Sequence, residues 1–161
     1  MSEKFVIAVV GKPSVGKSSA LLELTARFPF IKSEPIFKHN HDLAVVGEYV
    51  SENSNQLKKL GICTIGDDIQ FLEEGYLPLL IKDKCDIVIV ASRNKRDLAS
   101  NTFNYVADRA KENGYKFLTN SIIHDEKEYN NDGSCVDSVN EALLNQVFAE
   151  NMINLINRLS Q

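Results

Sequence analysis

The chain has 161 residues, a length that suits one domain spanning residues 1–161 and burying roughly 70% of the surface of the unfolded chain. Its composition, 43% hydrophobic and 25% charged, is that of an ordinary soluble globular protein. The formal net charge is −4 and no block of like charges occurs, which argues against nucleic-acid binding driven by phosphate neutralisation.

The chain carries no obvious targeting or membrane signal. Its N-terminal apolar run, residues 5–10, is too short for a signal peptide, and no stretch approaches the length of a membrane span. The cysteines at 63, 85 and 135 are far apart, and Cys63 and Cys85 lie in or beside apolar runs, so they are predicted to be reduced core thiols. We therefore expect a cytoplasmic protein without membrane association.

The first element is predicted from the valine-rich run 5–10, which is typical of a central parallel strand covered on both faces. The next predicted element is a helix over residues 17–27, which Pro29 brings to an end. Between the two lies a glycine-rich stretch with the spacing glycine, four residues, glycine-lysine-serine.

That stretch has the residue types needed to bind a polyphosphate. Gly11 and Gly16 allow a sharp turn and a close approach of the backbone, and the following helix presents its positive dipole end. Lys17 is predicted to reach the β- and γ-phosphates, and the Ser18 hydroxyl is predicted to bind Mg²⁺. The predicted nucleotide-binding residues are Gly11, Lys12, Pro13, Ser14, Val15, Gly16, Lys17, Ser18 and Ser19.

Residues 6–19 resemble the first motif of the P-loop NTPase superfamily. The motif is most similar to that of Era-type GTPases, which usually have Asn at the position of Ser14. Lys12 stands where ParA- and MinD-like ATPases have their signature lysine, although those proteins usually have two glycines in place of Pro13 and Ser14. The resemblance covers about the first 28 residues. It implies binding of ATP or GTP with Mg²⁺.

Residues 29–42 are predicted to be a connection, which in P-loop proteins often holds the switch or substrate-facing segment. His39 and His41 within it are predicted to be exposed loop residues, because zinc would need a third ligand nearby. Residues 43–50 and 60–65 are predicted to be strands, which could pair as a hairpin across the polar turn 51–55.

Two acidic residues follow the strand 60–65. In P-loop folds the strand beside the phosphate loop commonly ends in an acidic residue that holds Mg²⁺ or its waters. Asp67 or Asp68 could fill that role, and either could instead cap the next helix. Asp67 is the predicted metal ligand.

Residues 69–82 have helical spacing with a break or kink at Gly75 and Pro78. Residues 85–91 are a second buried strand, followed by a charged stretch in which Arg93 stands closest to the strand end. Arg93 and Arg96 could act as clamps on a transferring phosphoryl group, or the stretch could be a solvated loop. Arg93 is the residue predicted to be catalytic, together with Lys17.

Asn94 to Asp97 fit the Asn-Lys-x-Asp pattern by which GTPases recognise guanine. In those proteins the motif closes a later strand and follows its apolar residues immediately. The accompanying Asp-x-x-Gly motif is also absent from residues 65–68. The sequence therefore favours ATP over GTP.

The rest of the chain predicts a helix over 100–113 that stops at Gly114, a strand over 115–123 and a polar loop over 124–137. Ser138 opens the last helix with Glu141 completing a capping box. The buried stripe of that helix is predicted to comprise Val139, Leu143, Val147, Ile153, Ile156 and Leu159.

The predicted architecture is an α/β three-layer sandwich of about five mostly parallel strands, with nucleotide at their carboxyl ends. The predicted function is Mg²⁺-dependent NTP hydrolysis or phosphoryl transfer to a small acceptor such as a nucleotide. The alternative is a nucleotide-dependent switch or assembly ATPase or GTPase that acts through a protein partner. The Lys12 signal would then fit an ATP-sandwiched homodimer.

Overall fold

The computed structural model describes residues 3–11, 17–40, 42–95, 101–122, 131 and 138–160. Within these ranges one six-stranded sheet has the order β2-β3-β4-β5-β1-β6. Its strands are β1 (Phe5–Val10), β2 (Lys32–His39), β3 (Asp42–Val50), β4 (Leu57–Cys63), β5 (Ile87–Ser92) and β6 (Lys116–Ser121).

The sheet is mixed, with a parallel part and an antiparallel part. β1 pairs in parallel with β5 on one side and β6 on the other, and β4 pairs in parallel with β5. β3 and β2 extend the sheet beyond β4 as an antiparallel series. The carboxyl ends of β1, β4, β5 and β6 therefore lie along the same edge of the sheet, where ligand sites of α/β sheets are found.

Helices cover both faces of this sheet. They are α1 (Lys17–Arg27), α2 (Ile69–Gly75), α3 (Leu77–Ile81), α4 (Thr102–Glu112) and α5 (Ser138–Leu159). Ile7 and Val9 of β1 belong to a core cluster shared with α1 and α5, whereas Val6 and Ala8 belong to a cluster shared with α2, α3 and α4. The alternation follows from the pleat of a strand buried on both faces, and the predicted α/β class is confirmed.

Most of the predicted elements are present in the described ranges. β1 and α1 have the predicted bounds, and β3 and β4 pair as the predicted hairpin. The helical segment after Asp68 breaks at Tyr76, and Pro78 lies in the first turn of α3, where a missing N–H costs no hydrogen bond. Gly114, with φ of +80°, follows the end of α4 in the left-handed conformation expected of a helix stop.

The prediction that residues 29–42 form a connection is wrong, because Lys32–His39 is strand β2 at the edge of the sheet. This strand is mostly exposed and shows no apolar alternation, so its pairing with β3 provides the strand conformation. The register of the pair shifts between Pro35 and Phe37, a position where proline is tolerated in an edge strand. His39 is exposed on β2 and stacks on Phe71, with ring centroids 5.3 Å apart.

The predicted stripe of α5 is also wrong in part. Leu143 and Val147 are 58% and 44% exposed, respectively. The buried positions of this helix within 141–159 are Ile156, as predicted, together with Asn145, Ala149 and Met152. The sequence offers apolar residues on more than one face of the helix, and packing against α1 and the sheet selects the face that is buried.

Cys63 and Cys85 are free, buried thiols, as predicted. Burial raises the pKa of each thiol to about 12, because a thiolate would lose its hydration in the core. Several predicted features lie outside the described residues: Cys135, His41, most of the loop 124–137, and the side chains of Ser138 and Val139. None of the helices in the described ranges has the length and apolar composition that a bilayer crossing requires.

Candidate functional site at the carboxyl edge of the sheet

The predicted phosphate-binding stretch connects β1 to α1. β1 ends at Val10, Gly11 follows it, and α1 begins at Lys17; residues 12–16 lie outside the described ranges. The Lys17 side chain is buried, with 7% of the residue exposed, and its Nζ donates a hydrogen bond to the Gly11 carbonyl oxygen at 2.8 Å. The lysine side chain thus spans the two ends of the predicted loop.

Ser18, the second residue of α1, contacts the end of β4. Its Oγ donates to the carbonyl oxygen of Thr64 at 3.3 Å. Thr64 is itself held in place by Leu43: its N–H donates to the Leu43 carbonyl at 2.8 Å, and its Oγ1 accepts from the Leu43 N–H at 2.9 Å. The predicted Mg²⁺ ligand therefore faces the β4 terminus. Ser19, the next predicted nucleotide-binding residue, is half-buried in the first turn of α1.

The two acidic residues after β4 have different partners. Asp68 is the N-cap of α2, and its Oδ1 accepts from the Gln70 N–H at 2.8 Å. Asp67 Oδ1 accepts from Arg93 Nε at 2.6 Å. Of the two roles that the sequence left open for this pair, the cap belongs to Asp68.

The position of β4 differs from the one assumed for a magnesium-binding strand. The Mg²⁺ role predicted for Asp67 assumes that the strand before it lies beside the strand that leads into the predicted phosphate loop. In the structure β5 lies between β4 and β1, and the neighbours of β1 are β5 and β6. The strands that end beside the predicted phosphate loop are therefore β5, which leads into Arg93, and β6.

Arg93 is placed by the register of β5 on β1. Ser92 pairs with Val10 in the last pair of these two strands, and Arg93 and Gly11 are the residues that follow that pair. The Arg93 N–H donates to Thr102 Oγ1 at 3.0 Å, and the Arg93 carbonyl accepts from Ser92 Oγ at 2.8 Å. The backbone at Arg93 is thus held from both sides.

A close approach of two chain segments brings Asp67 to Arg93. A Cβ added at Gly66 would lie 2.7 Å from the carbonyl carbon of Ala91 and 2.8 Å from its oxygen, shorter than any normal contact. Only glycine allows the chain after β4 to pass this close to the end of β5. Asp67 is the next residue after Gly66, and Arg93 is the second residue after Ala91.

Sequence reasoning missed two residues of this edge, Thr64 and Thr102. Thr64 accepts the Ser18 hydroxyl, and Thr102, the first residue of α4, accepts the Arg93 N–H. Thr64 carried a weak signal, since it lies near the end of the predicted strand 60–65 and shortly before Gly66 and Asp67. Thr102 carried none, because its role depends on the packing of α4 beside β5.

The edge combines groups suited to a phosphorylated ligand. Lys17 and Arg93 supply positive charge and hydrogen-bond donors, and Ser18 and Asp67 supply oxygen atoms. Within the described ranges, no group of three or more His, Cys, Asp or Glu residues is arranged to hold a metal ion. Of the stretch that resembles the guanine-recognition motif, Asn94 and Lys95 follow β5, whereas Arg96 and Asp97 lie outside the described residues.

Comparison of the chain with protein-family models and with curated proteins finds no match.

Proposed function

We propose that this protein is a Mg²⁺-dependent P-loop NTPase or phosphotransferase, built as a three-layer nucleotide-binding domain and using ATP in preference to GTP. The observation that carries the proposal is the contact of Lys17 Nζ with the Gly11 carbonyl, made across the strand-to-helix turn that has the phosphate-loop sequence. It brings a buried ammonium group to the N-terminus of α1, where the helix dipole also favours an anion.

The residues of the edge have distinct proposed roles. The backbone N–H groups of residues 14–19 bind the phosphates, and Lys17 binds the β- and γ-phosphates. Arg93, the first residue after the neighbouring strand β5, stabilises the negative charge of the transferring phosphoryl group. A small acceptor would enter from the open side of the same edge.

The oxygen donors present fit a hard cation that keeps most of its water ligands. Mg²⁺ is commonly held by one or two protein oxygens together with substrate phosphates, and Ser18 Oγ is the donor nearest the start of α1. Asp67 is the second candidate, through the carboxylate oxygen that does not contact Arg93 Nε or through a metal-bound water. The ion would neutralise charge that develops on the β- and γ-phosphates.

The test is phosphate release from ATP and from GTP with Mg²⁺, alone and with each common nucleoside monophosphate added. A monophosphate that becomes phosphorylated faster than the triphosphate is hydrolysed would establish a kinase. Hydrolysis unaffected by any acceptor would establish an NTPase. A Lys17→Met preparation is the control for contaminating activity, since Met keeps the apolar stem of the side chain and removes the ammonium group.

Slow phosphate release that no small acceptor accelerates would favour the switch or assembly protein, and a macromolecular partner would then be sought. The absence of both triphosphate binding and turnover would overturn the proposed function.

A further inference from the structure

The contact between Asp67 and Arg93 joins two residues that the sequence assigned to separate tasks, one to Mg²⁺ and the other to the phosphoryl group. Asp67 Oδ1 lies 2.6 Å from Arg93 Nε. The Arg93 side chain is mostly buried, with 17% exposed, whereas the Asp67 side chain is 65% exposed. The contact therefore lies at the rim of the sheet edge, with the arginine on the inner side.

The backbones on both sides of this contact are fixed by other interactions. The tight packing of Gly66 on Ala91 sets the distance between the two segments, and the Asp68 cap holds the chain just after Asp67. The backbone of Arg93 is held by Thr102. The contact with Asp67 acts on the Arg93 side chain, whose rotamer entropy is about 2 kcal/mol.

The energy of the contact indicates what it does. Ion pairs with an exposed partner contribute only about 0.2–1 kcal/mol to stability, so the pair adds little to the free energy of unfolding. The contact instead affects the geometry of the arginine. A carboxylate that accepts a hydrogen bond from Nε, the guanidinium nitrogen nearest the backbone, fixes the plane of the guanidinium. Catalytic groups lose rate steeply when this kind of orientation is lost.

We propose that Asp67 is a positioning residue that orients the Arg93 guanidinium at the carboxyl edge of the sheet for contact with the transferring phosphoryl group. This role rests on the proposed function and replaces the role of second magnesium ligand considered there for Asp67. The two roles give different kinetic results. Loss of a positioning residue lowers kcat, whereas loss of a metal ligand raises the concentration of Mg²⁺ that turnover requires.

The test compares Asp67→Asn, Arg93→Ala, Arg93→Lys and the double variant Asp67→Asn/Arg93→Ala. The matched control is Asp68→Asn, which removes one carboxylate charge from the adjacent residue and keeps a side chain that caps a helix as well as Asp does. For each protein, kcat, KM for ATP and the Mg²⁺ concentration giving half-maximal turnover are measured. Urea unfolding confirms that each variant is folded.

We expect Arg93→Ala to lower kcat by about 100- to 1,000-fold, the loss seen when one donor to a developing negative charge is removed. Asp67→Asn should lower kcat with KM and the Mg²⁺ requirement close to wild type. The double variant should be no slower than Arg93→Ala alone, because Asp67 acts through Arg93. Arg93→Lys should not recover the turnover that Arg93→Ala loses, since an ammonium group lacks the planar fork that the carboxylate orients.

A raised Mg²⁺ requirement in Asp67→Asn, a double variant whose loss is the product of the two single losses, or an unchanged kcat in Asp67→Asn would each overturn the positioning role. These results leave the proposed function intact, because the wild-type protein still turns over. Absence of turnover in the wild-type protein would overturn the positioning role, and absence of triphosphate binding as well would overturn the proposed function itself.

Discussion

Gly66 packs against the backbone of Ala91 so closely that a Cβ at position 66 would meet the Ala91 carbonyl carbon at 2.7 Å. This contact sets the distance between the chain leaving β4 and the chain leaving β5. Because Asp67 and Arg93 come one and two residues later, the glycine decides whether their side chains can meet. A residue without a side chain thereby controls the geometry of the candidate site.

Gly66→Ala should therefore impair both stability and turnover. The added methyl group meets backbone rather than a flexible side chain, so the two segments must separate at a cost of about 1–3 kcal/mol. The separation should also lower kcat, because Arg93 loses its carboxylate partner. Urea unfolding and steady-state kinetics measure the two effects.

The control for this variant is Gly114→Ala. Gly114 has φ of +80° and nothing within 4 Å of an added Cβ, so alanine there introduces backbone strain without a clash. It should cost about 1–2 kcal/mol of stability and leave kcat unchanged. Equal losses of kcat in both glycine variants would show that destabilisation alone explains the effect of Gly66→Ala.

Lys17→Met should weaken binding of ATP by about 10- to 100-fold or more, since hydrogen bonds from a charged donor contribute about 1.5–3 kcal/mol. The matched control is Lys32→Met, on the exposed start of β2 at the opposite end of the strands. Titration with a fluorescent ATP analogue measures both affinities. Unchanged affinity in Lys17→Met would contradict the assignment of the phosphate loop.

The strand and the helix that flank the predicted phosphate loop could be predicted because their sequence signals are local. An uninterrupted apolar run fixes β1, and the glycine spacing and Lys17 fix the start of α1. The break between α2 and α3 was likewise predictable from Pro78. In each case the residues that carry the signal are those that form the structure.

The features that sequence reasoning missed depend on contacts between distant segments. β2 is a strand because β3 pairs with it, and its own residues give no strand pattern. The burial of Asn145 in place of Leu143 depends on the position of α5 against α1. The contact between Asp67 and Arg93 requires β4 to lie beside β5, and strand order leaves no trace in the sequence of either strand.

Asp68 should matter for stability and not for turnover. Asp68→Ala removes the acceptor for the Gln70 N–H and should lower the free energy of unfolding by about 0.5–2 kcal/mol. Asp68→Asn should stay close to wild type, because an asparagine side chain accepts the same hydrogen bond. Urea unfolding of the two variants measures the difference, and a kcat loss in Asp68→Asn would instead place this carboxylate in the reaction.

The buried thiols should make the protein less stable at alkaline pH. Burial raises the pKa of Cys63 and of Cys85 from the usual 9.0 to about 12. Between these values the folded protein keeps the thiol protons that the unfolded chain has lost. Unfolding then releases protons, so the free energy of unfolding falls as the pH rises above 9.0.

Urea unfolding at a series of pH values, from neutral to the alkaline limit of folding, measures this dependence. The comparison is the variant Cys63→Ala/Cys85→Ala. That variant should be less stable at neutral pH, because it loses two buried side chains, yet its stability should fall less steeply with pH. Part of the alkaline slope should remain in it, since burial also raises the pKa of Tyr76 and Tyr115. Equal slopes in the two proteins would show that the thiols do not contribute to the pH dependence.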